Sequence, residues 1–132
     1  MTGSKPVRSL KVLLVENYDD SRLVFYQTLS LLGHEVRCAG TMPEGLEALR
    51  EEVPEVLISD IGLPDGDGWE LRQLAVLPPE VFSIAMSGYG MAANIEHSMA
   101  VGYRYHLIKP VDLDALEALL VDAARERDAA DG

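Results

Sequence analysis

Short apolar runs alternate along the chain with segments whose apolar residues return at helical spacing, and this is the pattern of a parallel sheet wrapped by helices. The runs predict strands over Lys11–Val15, Glu35–Ala39, Val56–Ser59, Phe82–Met86 and Tyr105–Ile108. A strand covered on both faces reads as a nearly continuous hydrophobic run. Val12-Leu13-Leu14-Val15 and Val56-Leu57-Ile58 do so, which predicts that these two are central.

Five helical segments lie between and after the strands. The first spans Ser21–Leu32, with Phe25, Leu29 and Leu32 on one face and Gly33 as the left-handed stop. The second spans Met42–Glu51 behind a Thr41 cap, and the third spans Trp69–Val76 and is ended by Pro78-Pro79. In the fourth, Met91, Ile95 and Met99 line the core side before Gly102. The fifth opens at Asp112 and buries Leu113, Leu116, Leu120 and Ala123.

Five β/α units without a glycine-rich phosphate fingerprint after the first strand point to an α/β fold. Its expected form is a doubly wound, five-stranded parallel sheet of the flavodoxin-like (β/α)5 kind, strand order 2-1-3-4-5. Residues 1–9 read as an N-terminal extension, 10–125 as the domain, and 126–132 as a polar tail, either a frayed helix end or the stub of a linker.

Composition narrows the classes of function. The 132 residues, 48% of them hydrophobic, suffice for one domain with a proper core. No stretch of roughly 18 apolar residues could span a bilayer, and the first residues lack the apolar core of a secretory signal, so a cytoplasmic protein without membrane contact is expected. Eleven basic residues against 22 acidic ones give a net charge of −11, a surface that repels nucleic-acid phosphates. The lone cysteine, Cys38, has no disulfide partner and is expected as a small core residue. The lysines are Lys5, Lys11 and, isolated far along the chain, Lys109.

In doubly wound sheets ligands sit beyond the carboxyl ends of the strands. The residues there are Glu16-Asn17, Asp60, Ser87 and Lys109. Singly, each has a plain explanation as a loop charge, a turn residue or a cap. Together they form a complementary set: oxygen ligands for a hard cation, a central carboxylate, a hydroxyl and an ammonium. A carboxylate can attack a phosphoryl group to form an aspartyl phosphate once the charge between the two anions is neutralised. Magnesium does this through oxygen ligands and waters, an ammonium adds a second compact positive charge, and a serine hydroxyl donates to a further oxygen.

The strings around these positions resemble the response-regulator receiver domain over nearly the whole chain. They are Val12-Leu13-Leu14-Val15-Glu16, Ser59-Asp60-Ile61-Gly62-Leu63-Pro64-Asp65-Gly66-Asp67-Gly68, Ala85-Met86-Ser87-Gly88-Tyr89-Gly90 and His106-Leu107-Ile108-Lys109-Pro110. The resemblance implies Asp60 as the phosphoacceptor, with Glu16 and Asn17 as the pair that holds Mg2+ and Gly62 supplying a backbone carbonyl to the ion. It implies Lys109 and Ser87 as the catalytic cation and the switch hydroxyl, His106 at the place of a switch aromatic, and a cis Lys109-Pro110 bond. A histidine kinase or a histidine phosphotransfer protein would donate the phosphoryl group, and an output partner or a homodimer would read the result. As an isolated domain it would be no enzyme beyond its own phosphorylation and dephosphorylation.

The chain departs from the family at Asn17, where the usual residue is an aspartate. The loss of that charge bears on magnesium affinity and favours, as an alternative, a degenerate receiver that works without phosphorylation. The run from Gly62 to Gly68 and that from His106 to Leu113 are similar to receivers of hybrid sensor histidine kinases, so both an excised domain and a free regulator fit. A magnesium-dependent aspartyl-phosphate phosphatase would carry a second acid two residues after the nucleophile, where Gly62 stands. A flavodoxin-like cofactor module would need donors, not Asn17-Tyr18-Asp19-Asp20, in the first β/α turn.

Overall fold

Every residue of Val56–Asp60 is buried, and this run is β3, the middle strand of a five-stranded sheet in a computed structural model that describes residues 8–88 and 92–131. The elements in chain order are β1 (Lys11–Val15), α1 (Asp19–Leu31), β2 (Glu35–Ala39), α2 (Met42–Glu51), β3, β4 (Gly62–Leu63), β5 (Gly66–Asp67), α3 (Gly68–Ala75), β6 (Phe82–Ser87), α4 (Ala92–Val101), β7 (Tyr105–Ile108) and α5 (Leu113–Asp131). The sheet runs β2-β1-β3-β6-β7 with every pairing parallel. Counted among sheet strands alone, this is the expected order 2-1-3-4-5. β4 and β5 form a separate antiparallel hairpin inserted between β3 and α3.

Alternation along the strands divides the core into two layers. Val12, Leu14, Ile58, Ile84 and Met86 point to one face and meet Phe25 and Leu29 of α1 and Leu116 and Leu120 of α5. Leu13, Val15, Leu57 and Ala85 point to the other and meet Ala48 and Leu49 of α2, Leu71 of α3 and Tyr103. Both central strands are therefore covered twice, as their unbroken apolar runs require.

Three helix starts are capped by side chains. Thr41 accepts from the Glu44 N–H at 3.2 Å, Asp67 from Glu70 at 2.7 Å, and Asp112 from Asp114 at 2.9 Å. Asp67 caps α3 one residue ahead of its expected start, and α1 begins two residues early with Asp19 and Asp20 in its first turn, where acidic groups suit the helix dipole. β3 and β6 each run one residue further than their apolar letters, because Asp60 pairs with Met86 and Ser87 with Ile108.

Some expectations about burial are corrected. Cys38 is exposed, because β2 is an edge strand with β1 as its one neighbour. Met99 is 44% exposed while Ser98 beside it is fully buried, so α4 turns a hydroxyl inward where a methionine was expected. Leu113, at 36% exposed, sits at the mouth of α5 outside the core. Met91 lies outside the described residues. The residues read as a polar tail continue α5 to Asp131, and Arg8 pairs with Asp131 at 2.7 Å, Asp128 at 3.3 Å and Glu55 at 3.2 Å.

Among the described residues two that are not glycine have left-handed backbone, Asp65 in the β4–β5 turn and Val76 after α3. Val76 sits at φ 50°, ψ 59° with 84% of its surface exposed, so a β-branched side chain occupies a strained conformation without packing in return. Val76→Gly should therefore stabilise the protein by about 1 kcal/mol in urea denaturation at unchanged m-value. Equal or lower stability would show that the extra unfolded-chain freedom of glycine cancels the relief of backbone strain.

Candidate functional site

The carboxyl edge of the sheet gathers side chains from the ends of four strands. Glu16 follows β1 directly, and its N–H continues the ladder to the Ala39 carbonyl at 3.0 Å, which fixes the residue while burying its side chain completely. Asp60 is the last residue of β3 and is 3% exposed. The Lys109 N–H donates to the Ser87 carbonyl at 2.8 Å, so the lysine backbone is placed by the residue that ends β6; the Lys109-Pro110 bond is cis.

The Lys109 ammonium lies 2.7 Å from Glu16 Oε1, to which it donates a hydrogen bond, and 2.7 Å from Asp60 Oδ1. The second contact is an ion pair with the buried Asp60, so one ammonium is shared between the two carboxyl groups. Asp60 Oδ2 accepts from the Asn17 N–H at 3.4 Å, and Glu16 Oε2 from the Tyr18 N–H at 3.2 Å. The β1–α1 loop is clamped by Arg22, whose guanidinium donates to the Glu16 carbonyl at 3.0 Å and pairs with Asp19 at 2.5 Å.

Burial, and then the neighbouring Glu16, push the Asp60 carboxyl up to about 7 against the opposing pull of Lys109. Burial also opposes ionisation of Glu16, but its hydrogen bonds with Asp60, Lys109 and the Tyr18 N–H outweigh this and hold its carboxyl below the usual range. Two carboxyl groups thus share one ammonium in a buried crevice, and Asp60, with its raised carboxyl, is the one poised to gain or lose a proton. Among the described residues no cluster of three or more His, Cys, Asp or Glu side chains forms an all-protein metal cage. The chemistry of two adjoining carboxyl groups suits a hard cation that keeps several of its waters.

Of the other expected ligands, Asn17 is exposed and reaches Asp60 through its backbone N–H, while its amide side chain makes no hydrogen bond among the described residues. Gly62 is exposed at the start of β4. Ser87 and His106 are joined, Oγ to Nε2, at 2.7 Å. The sequence reading missed what lies beyond them: His106 Nδ1 meets Ser98 Oγ at 2.8 Å, and Ser98 accepts from the Trp69 indole at 2.8 Å. It also missed Gly68, where a Cβ would drive into the Asp60 carbonyl oxygen and crowd Ile61 Cα at 3.1 Å. The Gly68 N–H donates to the Ile61 carbonyl at 2.8 Å, and the Gly68 carbonyl accepts from the Tyr103 hydroxyl at 2.6 Å.

Comparison with known proteins identifies the family. A family model described as the response regulator receiver domain matches residues 12–121. The sporulation initiation phosphotransferase F of Bacillus subtilis is 26% identical over 80% of this chain and 86% of its own length. The response regulator protein PilR of Pseudomonas aeruginosa is 30% identical over 89% of this chain, which spans only 26% of that protein. The crystal structure of a response regulator receiver domain protein from Methanospirillum hungatei superposes with a TM-score of 0.79 at 32% identity, covering 92% of this chain and 99% of that one. Among the described residues no helix is long and apolar enough to cross a membrane.

The raised Asp60 carboxyl has a consequence for stability. Its pKa in the folded protein lies above the ordinary 3.8, so between that value and about 7 the folded state holds a proton that the unfolded state releases, and stability falls as pH rises through the window. Glu16, shifted the other way, opposes this at the acid end. In metal-free buffer the stability difference between wild type and Asp60→Asn should grow in favour of the variant by on the order of 2 kcal/mol from pH 4.5 to pH 8, read by urea denaturation. A difference independent of pH would show that Asp60 titrates as an ordinary carboxylate.

Proposed function

Because the chain belongs to the response regulator receiver family of two-component signalling, we propose that it accepts a phosphoryl group on Asp60. The observation that carries this reading is the Lys109 ammonium 2.7 Å from both buried carboxylates, Glu16 and Asp60. An Asp60 oxygen forms the new bond to phosphorus while the bond from phosphorus to the donor's leaving atom breaks, giving an aspartyl phosphate. Lys109 offers its positive charge to the incoming phosphoryl oxygens, and Ser87 offers a hydroxyl donor.

Glu16 and Asp60, with the Asn17 amide and the Gly62 carbonyl, would hold Mg2+. When bound, the ion supplies two positive charges that offset those of the approaching anions and return Asp60 to its ionised form. A histidine kinase or a histidine phosphotransfer protein is the proposed donor. A downstream output partner or a second copy is the proposed reader of a Ser87 and His106 rearrangement when a three-oxygen anion draws the hydroxyl inward. Such a domain acts in the cytoplasm and turns over only its own phosphoryl group.

Two measurements test the reading. Incubation with acetyl phosphate and magnesium should add one phosphoryl mass to the wild type and none to Asp60→Asn; uptake by the variant would displace the acceptor to another residue. A magnesium titration by calorimetry should rank Asn17→Asp about tenfold tighter than wild type, since an added carboxylate gains roughly 1–2 kcal/mol net after dehydration, with Asn17→Ala weaker still. Equal affinities in the three proteins would remove Asn17 from the ligand set.

A further inference from the structure

We infer that Trp69 and Ser98 are positioning residues for the phosphoryl-accepting site, setting the proton direction of the Ser87 hydroxyl through the His106 ring. The inference rests on the reading of Asp60 given above and extends it to residues of α3 and α4. The chain of contacts is Trp69 Nε1 to Ser98 Oγ at 2.8 Å, Ser98 Oγ to His106 Nδ1 at 2.8 Å, and His106 Nε2 to Ser87 Oγ at 2.7 Å.

Its direction follows from the one group that cannot reverse. An indole N–H only donates, so Ser98 accepts from Trp69. Ser98 is fully buried, and Trp69 and His106 are the partners of its hydroxyl among the described residues. A buried hydroxyl proton needs an acceptor, and Trp69 is not one, so Ser98 donates to His106 Nδ1. That nitrogen is then unprotonated, the neutral ring carries its proton on Nε2, and Nε2–H donates to Ser87 Oγ. Ser87 therefore accepts from the ring and directs its own proton elsewhere, as a hydroxyl must to serve an anionic oxygen. In the reverse order the Ser87 proton would be spent on the imidazole.

The rest of the surroundings agree. Burial lowers the pKa of the His106 ring, which keeps it neutral. The origin of the relay is anchored: Trp69 is the second residue of α3, Gly68 before it is hydrogen-bonded to Ile61 and Tyr103, and the His97 ring packs edge-on against the indole at 4.4 Å.

The test combines nitrogen-15 NMR of the His106 ring with phosphoryl uptake from acetyl phosphate in the presence of magnesium. The wild type should show the Nε2–H tautomer. Ser98→Ala should lose that bias and take up phosphoryl about fivefold more slowly, the worth of one hydrogen bond. Trp69→Phe, which keeps an aromatic ring without the N–H, should shift in the same direction. Ser98→Thr, which keeps the hydroxyl, should restore tautomer and rate. An Nδ1–H wild-type ring, a tautomer unchanged in Ser98→Ala, or an equal rate in that variant would each overturn the inference. A wild type with the Nε2–H tautomer but no uptake on Asp60 would instead overturn the functional reading, and the positioning role with it.

Discussion

Two carboxyl groups buried side by side repel each other, and here one ammonium allows them to remain. Glu16 and Asp60 end neighbouring strands, so parallel pairing forces their side chains toward the same crevice. At an effective dielectric near 20, a unit charge 2.7 Å away gives roughly 6 kcal/mol of gross attraction, most of it offset by desolvation. The balance is close enough that Asp60 still titrates near 7. A group poised between charged and neutral responds strongly to any further charge.

The sheet order explains why that ammonium belongs to a lysine. β7 lies two strands from β3, roughly 10 Å across the sheet, and three from β1. A cation leaving β7 must reach back across β6, and a four-carbon stem does so. The stem is aimed from its base by the Lys109 N–H on the Ser87 carbonyl. The two apolar layers behind the crevice hold these strands in register, so the packing of Leu14, Ile58 and Met86 on one face and Val15, Leu57 and Ala85 on the other determines where the charges meet.

The sheet was legible because its central strands are covered twice and write their burial as unbroken apolar runs. Three of the five expected strands have their observed limits, and the other two are longer by a polar residue that the pattern could not count, Asp60 or Ser87. Candidate chemistry was legible for a related reason: a polar letter directly after a strand, as at Glu16 and Lys109, falls at the carboxyl edge of the sheet. What failed depended on packing between elements. Cys38 sits in an apolar-looking strand, but position in the sheet, not letter, decides its exposure. Met99 and Ser98 are adjacent, and which one faces inward is set by the rotation of α4 against Trp69 and His106. Arg22 was unreadable as a clamp because the Glu16 group it holds is a backbone carbonyl, which carries no sequence signal.

Gly68 shows how far the demands of the crevice extend behind it. α3 begins directly beneath the backbone of Asp60, closer than any side chain could tolerate. A larger residue there would leave every acid, base and hydroxyl in the sequence and yet lift Asp60 out of line with Lys109. A saturation scan would then find one position with no reactive group of its own whose substitutions mimic loss of Asp60.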